Sequence, residues 1–161
     1  MNSRDLILEQ ERMIERCDRL LARIAPHPTI RAFLTLLGDQ THSHARALGR
    51  MRGQCSAELR DGRVLANGLM LLRRLERVAA SLQLNPDHLK SYESMCDIVQ
   101  QNAQLYHELA DQSHSPRRTA LYQQFAREEH VHFALLGDLC RTLRRCASQQ
   151  VGGHQAQALT A

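Results

Sequence analysis

The chain has 161 residues and a mass of 18.3 kDa, one domain's worth, and its 43% hydrophobic and 24% charged residues exclude a disordered polymer. Eight glycines and four prolines are too few for an all-β fold built on many tight turns. The net charge of +4 comes from 20 arginines and the single Lys90 against 17 acids spread among them, and with no Trp there is no concentrated basic, aromatic-bearing footprint for nucleic acid.

Helical periodicity runs through the sequence. A first helix is expected from Ser3, an N-cap residue, to Ile24, with Leu6, Gln10, Met13, Ile14, Cys17, Leu20, Leu21 and Ile24 as its buried stripe. Pro26 and Pro28 break it. A second helix follows from about Thr29 past Met51, with Ile30, Phe33, Leu37, His44, Leu48 and Met51 on one side. Gly53 to Gly62 is expected to turn, and Val64 to Leu82 to form a further helix on Leu65, Leu69, Leu72, Leu75, Val78 and Leu82. Asn85-Pro86-Asp87 is a stop and restart, leading a helix to Gln112. Ser115-Pro116 starts the last helix, which the pattern ends near Ala147. Residues 1–148 thus form one domain, and 149–161, with Gly152-Gly153, a flexible tail.

A shift of 88 residues lays positions 9–49 on 97–137 without a gap. Eight positions are identical, among them Pro28/Pro116, His42/His130, His44/His132 and Gly49/Gly137, against roughly three expected from composition. Two repeated helical hairpins joined by a long connection predict an all-α four-helix bundle, its crossover holding the extra helix.

At 100° per residue, Leu121, Phe125, Leu136, Leu139 and Leu143 define the buried side of the last helix, and His132 falls at its centre. Glu128 and Glu129 lie within about 60° of it, whereas His130 points away. Glu129 and His132 stand three apart on one face, a spacing that lets a carboxylate and an imidazole meet one metal ion. In the second helix the same phase turns Gln40, Thr41 and His44 inward and His42 outward. In the helix from Asp87, Asp97 points outward and Asn102 inward. Glu9, which aligns with Asp97, sits at the edge of the first helix's stripe.

The stretch Leu121 to Leu139, LYQQFAREEHVHFALLGDL, resembles the last bundle helix of ferritin-like proteins, the rubrerythrin family above all, and the resemblance covers about residues 3–147. It implies a ferritin-like bundle with an iron centre and oxidoreductase activity on iron, peroxide or dioxygen. Carried over position by position, it implies metal ligation by Glu129, His132 and His44, with Glu128 and Glu9 completing the shell. Thr41 stands where a bridging glutamate is expected, so a di-iron centre, a mononuclear site and a bundle that has lost its metal all stay open. The last of these would act as a protein-interaction or regulatory module. An external electron donor and a homo-oligomer, in the first place a dimer, are the expected partners. Cys17, Cys55, Cys96, Cys140 and Cys146 show no zinc or iron–sulfur spacing. With no leader-like N-terminus and no run long enough to span a bilayer, free thiols and a cytoplasmic location are expected.

Overall fold

A computed structural model describes residues 3–51, 63–78, 81, 82 and 84–158, with side chains described between 5 and 148. These residues are all-helical: α1 (Ser3–Ile24), α2 (Pro28–Arg50), α3 (Arg63–Val78), α4 (Pro86–Asp111) and α5 (Pro116–Ala158). The expected turn at 53–62 lies outside the described residues.

Proline sets three of the helix starts. Pro28, Pro86 and Pro116 each open a helix, where the missing N–H costs nothing. Two of these starts carry a side-chain cap: Asn85 Oδ1 accepts from the Asp87 amide at 2.9 Å, and His27 Nδ1 accepts from the Thr29 amide at 3.1 Å. The last helix runs eleven residues beyond the expected end at Ala147, to Ala158. The last buried side chain among those described is Cys146, but no proline follows to interrupt the backbone ladder, and the Gly152-Gly153 pair does not break it.

The closest packing is within two hairpins, α1 against α2 and α4 against α5. The hairpins then meet one another. α1 packs on α4, and α2 and α5 are joined by side-chain hydrogen bonds. α3, in the connection between hairpins, packs on α2 and α5. It approaches α5 closely at Gly68, where a Cβ would stand 2.7 Å from Leu135 Cδ1. Gly68→Val is therefore expected to wedge α3 off α5 and to cost about 1–3 kcal/mol in chemical denaturation.

Two apolar clusters fill the interior. One joins Ile14, Phe33, Leu37, Leu75, Met95, Val99 and Leu139 from all five helices. The other gathers Ile7, Leu48, Tyr106, Tyr122 and Phe125. The expected core residues of α2 and α5 are where phase put them, from Ile30 to Leu48 and from Phe125 to Leu143, with Met51 and Leu121 only half-buried at the ends.

The stripe expected for α1 is buried only in part: Ile14 is in the core, with Cys17 and Leu21 half-buried against it. Leu6, Met13, Leu20 and Ile24 are exposed, and the inner face runs through Ile7, Glu11, Ile14, Asp18 and Ala22. α1 carries two faces with regular apolar spacing, and the more apolar one looks outward. On α3, Leu65 and Leu69 are likewise exposed while Leu72 and Leu75 are buried. Cys140 and Cys146 are buried free thiols, and Cys17 and Cys96 are half-buried. No helix among the described residues is long and apolar enough to cross a membrane.

Candidate metal centre

A polar layer separates the two apolar clusters. Its buried members are Glu11 from α1, Thr41 and His44 from α2, Asn102 from α4, and Glu129 and His132 from α5. Ionisable groups so deep are costly unless something compensates them. Their hydrogen bonds show how far the protein alone provides that.

Glu11 Oε1 accepts from Asn102 Nδ2 at 2.9 Å and from the Tyr106 hydroxyl in a short hydrogen bond. His44 Nδ1 faces Glu129 Oε1 at 3.1 Å and Glu11 Oε1 at 3.6 Å. Its other nitrogen, Nε2, meets Glu128 Oε2 at 2.6 Å. Glu128 also accepts from Gln124 and, at 2.8 Å, from Gln40 Nε2. Because a carboxylate only accepts, Gln40 must turn its amide nitrogen to Glu128, and its oxygen then receives His132 Nε2–H at 2.9 Å. That assigns the proton of His132 to Nε2 and leaves Nδ1 bare, 3.8 Å from Glu129 Oε1. The two imidazole rings lie almost parallel, centroids 6.0 Å apart, and the Phe125 ring packs on His44 at 4.6 Å.

Electrostatics divides the two histidines. Burial disfavours a charge on either. For His44 the Glu11 carboxylate, with Glu128 and Glu129, outweighs burial and holds the pKa well above the ordinary value. His132 has only Glu128 in its favour, so burial and repulsion from His44 lower it to about 3, and it is neutral. Burial and then the Glu11 charge raise Glu129 to about 7. Burial, followed by the charges of Glu129 and Glu11, pushes Asp18 well above the usual carboxylate range.

Three buried acceptor oxygens of the layer remain without a partner, Glu11 Oε2, Glu129 Oε2 and Asn102 Oδ1, as does Asp18 Oδ1 further along α1. Only a proton, a water or a cation satisfies such oxygens. Glu11, His44 and Glu129 each offer one ligand atom, all within 4.8 Å of one another, and all three residues are buried. This donor set of carboxylate oxygen and imidazole nitrogen, without thiolate, suits divalent iron, manganese or zinc. The second nitrogen of His44 rests on Glu128, the outer carboxylate that typically orients a ligating imidazole.

The five residues singled out in the sequence fall in different places. His44 and Glu129 are in the three-residue group, His132 lies beside it, and Glu128 reaches His44 from behind, half-buried. Glu9 is on the exposed side of α1, paired with Arg12 at 2.8 Å, because it lies about 160° round the helix from Glu11. Glu11 and Asp18 went unnoticed. Their spacing of seven, in register with Ile7 and Ile14, marks the face that the exposed leucines outweighed. As expected, Asp97 is exposed, Asn102 is buried, and His42 and His130 lie outside the layer, on Glu15 and His107. Thr41 is buried too, but its hydroxyl bonds the Leu37 carbonyl and adds no charge.

The arginine runs of α3 and α5 line a groove that includes Arg73, Arg141, Arg144 and Arg145, and three of these are paired with Asp138, Glu93 and Glu76. Comparison with protein-family models, curated proteins and solved structures finds no match for this chain.

Proposed function

We propose that this protein is a ferritin-like four-helix bundle, two repeated hairpins and a crossover helix, that binds a divalent metal ion, in the first place iron, through Glu11, His44 and Glu129. The observation that carries this reading is the set of unpartnered carboxylate oxygens around a buried imidazole. Residues 88 apart support the repeat: His44 bonds Glu128 while His132 bonds Gln40, the residue matching Glu128. Two carboxylates balance one divalent charge. With Thr41 and Asn102 in place of further acids, the composition favours one ion over two. Iron held there would supply one-electron redox chemistry, in support of oxidising ferrous iron or reducing peroxide or dioxygen with an external electron donor.

The residues have defined parts. Glu11 is held by Asn102 and Tyr106, so its free oxygen is fixed in direction. Glu128 steadies His44 by accepting its Nε2–H. Gln40 holds the His132 proton on Nε2 and so leaves Nδ1 bare as a further ligand atom. Phe125 and Tyr106 shield the layer on one side from water.

Anaerobic loading with ferrous iron, removal of excess and elemental analysis test the reading. About one ion per chain is expected. Glu11→Ala should lose most of it, and Glu9→Ala should keep it. A chain that takes up no metal and gains no thermal stability from it would refute the proposal. A second reading, a bundle without metal that serves as an interaction module, is favoured by the web linking Gln124, Glu128, Gln40 and the two histidines, which closes without a cation.

A further inference from the structure

We propose that the outer face of α1 joins two copies of this chain in an antiparallel, two-fold helix pair. Leu6, Gln10, Met13, Cys17, Leu20 and Ile24 alternate steps of four and three, the spacing of a coiled-coil seam. Leu6 is 45% exposed, Met13 38%, Leu20 58% and Ile24 55%, so the seam is apolar and, among the described residues, uncovered. An inner face already commits α1 to its own bundle, through Ile7, Glu11, Ile14 and Asp18. Of the outer stripe, Cys17 is half-buried against that core, while Leu6, Met13, Leu20 and Ile24 stay exposed. At its N-terminal end the seam continues into a shallow groove where Leu6 meets Leu105 and Leu109 of α4, which widens the surface beyond one helix.

Charge chooses the occupant and its direction. On the polar flank of the seam, Glu9 lies near the start of α1 and Arg16 and Arg23 lie further on. A second α1 running the same way would set this flank against the opposite one, Ile14 and Leu21, and leave its charges without partners. Running the opposite way, it sets Glu9 of each copy against Arg23 of the other, a self-complementary arrangement that needs no different partner. The seam layers then pair Leu6 with Ile24, Gln10 with Leu20 and Met13 with Cys17 across the axis. This register brings the two Arg16 side chains together, its one unfavourable pair. The inference is independent of the metal.

Sedimentation of the full chain at micromolar concentration tests it. A dimer is expected. Leu20→Glu should raise its dissociation constant by at least about tenfold while the helical circular dichroism and thermal midpoint hold, since the side chain is exposed. Arg23→Glu should weaken the dimer, and adding Glu9→Arg to it should restore it. Met13→Cys should form an intermolecular disulfide with Cys17 of the other copy. A chain that stays monomeric overturns the proposal. So does a dimer indifferent to Leu20→Glu, or one that the charge exchange fails to restore.

Discussion

Glu129→Gln is expected to act with opposite signs on two measurements. Metal affinity should fall by at least about 100-fold, because the neutral amide removes one of two anionic ligands. The metal-free protein should meanwhile become more stable than the wild type near pH 8. Burial and the neighbouring Glu11 charge hold Glu129 near 7, so ionising it in the interior costs folding energy that glutamine avoids. If Glu129 were only a hydrogen-bond anchor for His44, the substitution would weaken that bond and lower stability. Elemental analysis of loaded protein and urea denaturation in the presence of a chelator give the two readouts.

The metal-free protein should also lose stability as pH rises. Glu129 binds its proton in the folded state up to about pH 7, while the unfolded chain releases it near 4.5. Its stabilising contribution is complete at low pH and is lost between those values. Asp18, raised in the same direction, loses its contribution over a range that starts at 3.8. His44, raised above 6.5, contributes fully below that pH and loses stability as pH climbs toward its folded value. His132 opposes them. It is neutral in the fold down to about pH 3, so the unfolded chain gains protons below 6.5 and stability is lost on acidification there. The opposing slopes partly cancel between about pH 5 and 6.5, at about 1.4 kcal/mol per pH unit for each proton. Above 6.5 His132 drops out, and stability is expected to fall as the pH rises further. Chemical denaturation across this range checks it, and stability rising from pH 6.5 to 8 would contradict the assignment. A bound divalent ion replaces these protons, so its stabilisation should grow over the same interval.

Helix boundaries were legible because proline and capping side chains are local signals, as at Asn85-Pro86 and His27-Pro28. The inward turn of His44, Glu129 and His132 was legible because α2 and α5 each have one dominant apolar face. α1 has two. Hydrophobicity alone ranks Leu6, Met13 and Leu20 above the mixed face of Ile7, Glu11 and Asp18, so phase put Glu9 at the edge of the interior where packing buries Glu11. Nothing in the sequence marks which face a second hairpin will cover. Only tertiary packing makes that choice. The continuation of α5 to Ala158 was hidden for a related reason: its apolar pattern fades before its backbone hydrogen bonding ends.

The reciprocal bonds between His44 and Glu128 and between His132 and Gln40 bear on assembly. Each hairpin supplies the group that steadies its neighbour's imidazole, across 84 and 92 residues of chain. The shortest hydrogen bond of each histidine thus crosses between hairpins, and closing so long a loop costs entropy before these contacts repay it. The polar layer is therefore expected to close late in folding, after the apolar faces of the two halves have found each other.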